Sequence, residues 1–241
     1  MPQDSIIIWA VVPAAGVGKR MASDVPKQYL TLAGHTVLDT TLQKLFGLDA
    51  VSNIVVAVSD EDEYWPDSQF ASHPDIYRVS GGKERSDSVL SALRYIANHV
   101  EDMSSTWVLV HDAARPCFSP VKVNELIATC TMNNMGGILA APVADTVKRA
   151  PETGDKIIEI EKTEDRDQLW LAHTPQFFPL GALHSALEAC LQQGLPVTDE
   201  ASAIEAVGGR SLIVADRRDN IKITVPEDLY WAQHILKQHI I

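Results

Sequence analysis

The chain has 241 residues, enough for one large domain or two small ones, and its 32 Asp and Glu outweigh 20 Lys and Arg to give a net charge of −12. Extended nucleic acid and anionic membranes are bound by basic faces, so this balance argues against a general binder of either. With 46% hydrophobic and 22% charged residues, 13 Gly and 13 Pro, the composition is that of a globular protein and excludes a disordered or collagen-like chain.

The apolar run 6–12 is too short to span a bilayer. It follows Asp4 where a signal peptide would carry Lys or Arg, so it reads as a buried first strand, and neither a signal nor a transit peptide is expected. Helical spacing follows over 37–46, a second strand over 53–58, and the acidic run 60–63 reads as a solvated helix start. Over 87–100, Val89, Leu93, Ile96 and Val100 fall at offsets of four, three and four, which places them on one helix face. A strand over 107–110, a helix over 121–132 and a strand over 137–141 continue the alternation. Continuously apolar strands are covered on both faces. The expected fold is therefore α/β, a three-layer, Rossmann-like domain with a mostly parallel twisted sheet, its ligands at the carboxyl ends of the strands.

Between Val143 and Gln168 the pattern breaks. Two polar stretches, 145–150 and 156–162, flank Pro151-Glu152-Thr153-Gly154-Asp155 and predict a hairpin added to the main sheet. Such an arm over 143–168 is either a solvated projection or a clasp for a second subunit. Helices then follow over 180–193 and 199–207, with a last one from Pro226, which suits a first helical turn. The whole, 1–241, reads as one domain. Cys117, Cys130 and Cys190 are odd in number, widely spaced and form no CxxC pair, which points to a reducing cytoplasm.

Three loops carry the candidate chemistry. The first strand empties into Pro13-Ala14-Ala15-Gly16-Val17-Gly18-Lys19-Arg20-Met21, where small residues let backbone N–H groups approach phosphate oxygens. Met21 breaks the dinucleotide fingerprint, and a P-loop would need Gly in place of Pro13 and Ser or Thr in place of Arg20. With Lys27, the segment 13–28 holds three cations against Asp24, which favours an anion site over a plain strand-to-helix turn. The third strand ends in His111-Asp112-Ala113-Ala114-Arg115: Asp112 is either a cap or an attendant of metal or substrate, Arg115 offers a phosphate fork, and His111 reads as packed rather than catalytic. Gly81 and Gly82 precede a helix, where free N–H groups and the Ser88 hydroxyl would meet a base edge unless the segment is only a glycine turn capped by Ser86 or Asp87. Lys222 stands in a strand-like run, 219–224, as a surface cation or one aimed at the cleft.

In their order and spacing, PAAGVGKRM, PKQYL, GGKERSDSV, VHDAARP, APVADTVK, TPQFF, TDEASAIE and DNIKIT followed by PEDL resemble the 2-C-methyl-D-erythritol 4-phosphate cytidylyltransferases, through nearly the whole chain. The resemblance implies a nucleotidyltransferase fold with an extended β-arm, and homodimers joined through that arm. It also implies transfer of a cytidylyl group from CTP, with Mg²⁺ held mainly by the CTP phosphates and Asp112 as the candidate protein contact. Arg20 and Lys27 then match the pair that stabilises the transition state. Arg166 and Lys222 match the groups that position the acceptor's phosphate, and Thr146 and Arg166, on the arm, imply a partner subunit completing each site. Asp112 and Arg115 match the substrate side, and Pro13, Ala14, Ala15, Gly16, Gly18, Gly82 and Ser88 the CTP pocket. Related enzymes for other polyol phosphates, such as ribitol 5-phosphate, share the nucleotide motifs, and a non-catalytic nucleotide-binding dimer is the rival from another class.

Overall fold

The computed structural model describes residues 6–16, 21, 25–151 and 158–238. In chain order its elements are β1 (Ile7–Pro13), β2 (Thr31–Leu32), β3 (His35–Thr36), α1 (Val37–Phe46), β4 (Val51–Val58), β5 (Ile76–Ser80), α2 (Arg85–Ala97), β6 (Thr106–Val110), α3 (Pro120–Met132) and β7 (Gly137–Pro142). They continue with β8 (Lys148–Arg149), β9 (Lys162–Thr163), β10 (Trp170–Pro179), α4 (Leu180–Gln193), α5 (Glu200–Ala206), β11 (Leu212–Ala215) and α6 (Pro226–Gln238). Seven strands form one sheet in the order β11-β7-β10-β6-β1-β4-β5. β1 pairs in parallel with β4 and β6, β4 with β5, and β11 with β7; β10 alone runs against its neighbours.

The three layers follow from strand periodicity. Successive side chains point to opposite faces, so Ile8, Ala10 and Val12 of β1 join Leu38, Leu42 and Leu45 of α1 and Val123 and Leu126 of α3 in one core. Trp9 and Val11 join the other, with Val89, Leu93 and Ile96 of α2 and the inner faces of α4 and α5. Val100, beyond the end of α2, still packs against that second core. A third cluster seats α6, where Ala232 meets Cys117, Ile223 and Val37. Among the described residues no helix is long and apolar enough to cross a membrane.

Several expectations change. The acidic run 60–63 starts no α-helix; Asp62 instead accepts the backbone N–H groups of Tyr64 and Trp65 and stabilises a short 3-10 turn at Trp65–Asp67. α2 begins at Arg85, so neither Ser86 nor Asp87 is its N-cap, although the Asp87 carboxylate accepts from Glu84 N–H at 3.1 Å. The arm's β8 and β9 pair antiparallel in a small sheet of their own rather than joining the main one. Residues 219–224 form no strand: Ile223 N–H is bonded to Ala114 O, and Asp228 accepts from Thr224 and Val225 N–H, which fixes an extended segment beside the third loop.

Candidate active site

Neighbouring strands tie the loops at the sheet's carboxyl edge together. Ala14 N–H donates to Ala57 O at 2.7 Å, Gly81 N–H to Val58 O at 2.7 Å and His111 N–H to Val11 O at 2.8 Å. A Cβ at Gly81 would lie 2.4 Å from the Cβ of Ala15, so only glycine lets the second loop pack this closely on the first. A Cβ at Gly16 would meet nothing within 4 Å, which leaves open space above that backbone. Gln28 Nε2 donates to Ala14 O at 2.7 Å and braces the first loop from below.

These contacts make one cleft of residues far apart in sequence. Pro13, Ala14, Ala15 and Gly16 enter it from β1, Gly82 and Ser88 from the second loop, Asp112 from the third, and Lys27 and Lys222 close it. Lys27 Nζ donates to Ile223 O at 3.1 Å, so the segment carrying Lys222 is moored to the first loop. Ser88 Oγ, expected to read a base, accepts from Gly82 N–H at 3.0 Å and donates to Glu84 O at 3.3 Å, and thereby shapes the loop.

Asp112 is the electrostatic centre. Its Oδ1 lies 2.7 Å from Arg85 Nε and its Oδ2 2.7 Å from Lys222 Nζ, so it is an ion-pair partner rather than a turn cap. Burial alone would push this carboxyl up, but Arg85 and Lys222 outweigh it and hold Asp112 well below the usual carboxylate range. Arg85 in turn forks onto Glu200, Nη1 to Oε1 at 2.7 Å and Nη2 to Oε2 at 3.0 Å. Burial works against the guanidinium charge, and Glu200 and then Asp112 reverse the balance and raise the Arg85 pKa.

Arg85, Asp112 and Lys222 also line a second cleft, on whose side lie Arg115, His173, Thr174 and Thr198. The three charged residues are thus a wall common to both cavities. Arg115 Nη1 donates to Asn220 O at 2.7 Å. His111 is buried and works as a fastener: Nε2 donates to Arg115 O at 2.9 Å while Nδ1 takes the Thr174 hydroxyl at 3.0 Å, and the same hydroxyl accepts Asp112 N–H at 3.1 Å. Burial lowers the imidazole's pKa to about 4, which keeps it neutral in this role.

Arg20 and Gly18 lie outside the described residues. Thr146 and Arg166 are exposed on the arm and line neither of these clefts; the Arg166 guanidinium donates to Ala144 O at the arm's base. Sequence reasoning gave no role to Arg85 or Glu200, though both stand inside the quoted segments. The only signal was an arginine next to a glycine loop; its partner Glu200 comes 115 residues later. Among the described residues no group of three His, Cys, Asp or Glu is placed to hold a metal ion, and both oxygens of Asp112 are taken by cations.

Comparison with known proteins agrees in sequence and in fold. Residues 8–238 match the family model described as 2-C-methyl-D-erythritol 4-phosphate cytidylyltransferase. Proteins of that name from Pseudomonas putida and Vibrio atlanticus are 50% and 51% identical to the chain, over 93% and 95% of it and 94% and 95% of their own lengths. The crystal structure of the Francisella tularensis 2-C-methyl-D-erythritol 4-phosphate cytidylyltransferase superposes with a TM-score of 0.80 at 37% identity, covering 95% of this chain and 99% of the other. The chain belongs to the 2-C-methyl-D-erythritol 4-phosphate cytidylyltransferase family.

Proposed function

We propose that the two clefts hold the two substrates of the family's reaction, CTP against the glycine loops and 2-C-methyl-D-erythritol 4-phosphate on the Arg115 side. The observation that carries this division is the wall of Arg85, Asp112 and Lys222 that both clefts share. The chain is a nucleotidyltransferase that transfers a cytidylyl group to the acceptor's phosphate, giving 4-diphosphocytidyl-2-C-methyl-D-erythritol and pyrophosphate. A phosphate oxygen of the acceptor attacks the α-phosphorus of CTP, the bond from that phosphorus to the oxygen bridging to the β-phosphate breaks, and pyrophosphate leaves with the electron pair. An ionised phosphate is already a nucleophile, so no general base is needed. Catalysis is alignment of two polyanions together with neutralisation of the charge that builds on the leaving group.

Lys27, at the nucleotide cleft, acts with Arg20 on the charge of the transition state. Lys222, in the common wall, and Arg115 hold the acceptor's phosphate. Magnesium, when bound, neutralises triphosphate oxygens, and with Asp112 committed to Arg85 and Lys222 the donor set suits an ion carried by the nucleotide rather than by a protein cage. The arm of a second copy brings Thr146 and Arg166 to the acceptor. In support, the arm and its root expose Ile158, Ile160 and Leu171 at 71, 65 and 56%, apolar surface of the kind that pairing of subunits covers. The three cysteines are free and buried, which suits work in the cytoplasm. A side-by-side turnover assay with CTP and either methylerythritol phosphate or ribitol 5-phosphate tests the acceptor: preference for the former is expected, and preference for the latter would overturn the assignment.

A further inference from the structure

Glu200 lines neither cleft, yet its side chain is fully buried and spends both oxygens on one guanidinium. A buried carboxylate is costly to desolvate and persists only with a well-made partner. Its place is fixed from both sides. Asp199 caps α5 by accepting Ser202 N–H at 2.9 Å, while Gln176 on β10 donates to Asp199 Oδ2 at 2.9 Å and accepts Ala201 N–H at 3.0 Å. Glu200 is therefore clamped between two residues anchored to the sheet.

The consequence lies in the geometry of the arginine. A guanidinium is planar, and its N–H groups point in fixed directions. With Nη1 and Nη2 docked on Glu200, the Nε–H of Arg85 is aimed at Asp112 Oδ1, 2.7 Å away. That leaves Oδ2 for Lys222. In the chain of contacts from Glu200 through Arg85 and Asp112 to Lys222, the long side chain of Arg85 is the link between the buried carboxylate and the wall; it is 25% exposed and borders both clefts. Released from Glu200, that cation would be free to turn towards either polyanion, and Asp112 would lose the cation that fixes its Oδ1, keeping only Lys222 at 2.7 Å and Arg115 at 3.7 Å on Oδ2.

We propose that Glu200 is a positioning residue for cytidylyl transfer, holding Arg85 so that Asp112, and through it Lys222, stand fixed in the wall between the two substrates. This rests on the reaction proposed above. It differs from a purely structural tie between α5 and α2, because it ties the loss on mutation to turnover rather than to folding or nucleotide binding.

The test is steady-state kinetics with CTP, Mg²⁺ and methylerythritol phosphate for the wild type, Glu200→Gln, Glu200→Asp, Arg85→Gln and the double variant Glu200→Gln/Arg85→Gln, alongside thermal unfolding of each. Glu200→Gln, which keeps the shape and removes the charge, should lower kcat by about tenfold or more, with the KM for CTP within about threefold of normal. Glu200→Asp keeps the charge and should recover part of the loss. In the Arg85→Gln background the second change should add less than about twofold, because it acts through that arginine. A folded Glu200→Gln protein with normal kcat overturns the proposal, as does a loss that multiplies fully with that of Arg85→Gln. Should Glu200→Gln not fold, Glu200→Asp decides: folded with lowered kcat it supports the positioning role, folded with normal kcat it overturns it. A wild type that releases no pyrophosphate from this substrate pair overturns both the reaction and the inference, whereas an active wild type beside an unaffected folded Glu200→Gln overturns the inference alone.

Discussion

Lys222 Nζ lies 2.7 Å from Asp112 Oδ2, so the lysine assigned to the acceptor's phosphate is already held by a carboxylate of the protein. The pair is asymmetric: the Lys222 side chain is 38% exposed and that of Asp112 9%, which leaves the ammonium accessible while the carboxylate stays behind it. Such a pair orients a flexible cation at the cost of some of its attraction for phosphate. Lys222→Ala should therefore lower turnover on the order of 10²-fold and raise the acceptor KM more than that of CTP. Steady-state kinetics with each substrate varied in turn checks this, and a rise confined to CTP would place the lysine on the wrong substrate.

Lys27 borders the nucleotide cleft and not the second one. Its Nζ donates to Ile223 O at 3.1 Å, next to Lys222, so it stands between the first loop and the wall, where the proposed reaction puts the triphosphate. An interaction made mainly in the transition state appears in kcat and not in ground-state binding. Lys27→Ala is expected to reduce kcat by about 10²-fold while CTP affinity, measured by calorimetry, changes several-fold at most. A variant with normal kcat would refute the role.

Much of this fold was legible because it rests on local patterns. β1, β4, β6 and β7 are apolar runs buried on both faces, and α2 carries its buried residues at the offsets its sequence shows. The strands that escaped notice have physical reasons to. β5 and β11 are the sheet's two edges, short and only partly buried, and β10 contains Pro175 and breaks its register with β7 between Ala172 and Gln176. The glycine loops, Asp112 and Lys27 could be read as a site because small residues and cations follow strand ends. Glu200 could not. A glutamate in the first turn of a helix looks like a surface carboxylate favoured by the dipole, and only the folded chain brings Arg85 to it.

His111 links stability to pH. Its folded-state pKa is lowered by burial from 6.5 to about 4, so between those values the unfolded chain binds a proton that the folded chain does not. Stability from this group is complete above pH 6.5 and is lost as pH falls towards 4, by about 3 kcal/mol over the whole interval. Asp112 adds little to this window, because a carboxyl whose pKa is depressed on folding loses its contribution mainly as pH falls through the ordinary carboxylate range and below. Urea unfolding at pH 7.5 and 5.0 should show the loss in the wild type and a smaller one in His111→Gln. Nuclear magnetic resonance supplies the check on the native protein: the His111 ring should stay neutral at pH 5.0, and a ring that titrates near 6.5 would contradict the buried, hydrogen-bonded state.

Arg166 gives the sharpest test of a shared site. It stands on the arm with its guanidinium on Ala144 O, outside both clefts of its own chain. If the arm of a second copy supplies it, Arg166→Ala should raise the acceptor KM while leaving CTP affinity near normal. Mixing then becomes decisive. Assayed with the acceptor well below the raised KM, Arg166→Ala and Lys27→Ala would each be nearly inactive alone, but a mixed dimer has one site with an intact Lys27 from one subunit and an intact Arg166 from the other. Co-refolded in equal amounts, the two variants should regain roughly a quarter of wild-type turnover, since half the dimers are mixed and each has one good site of two. No recovery from the mixture, with dimers present by light scattering, would mean that Arg166 serves its own chain's cleft. An Arg166→Ala effect confined to CTP would remove it from the acceptor side altogether.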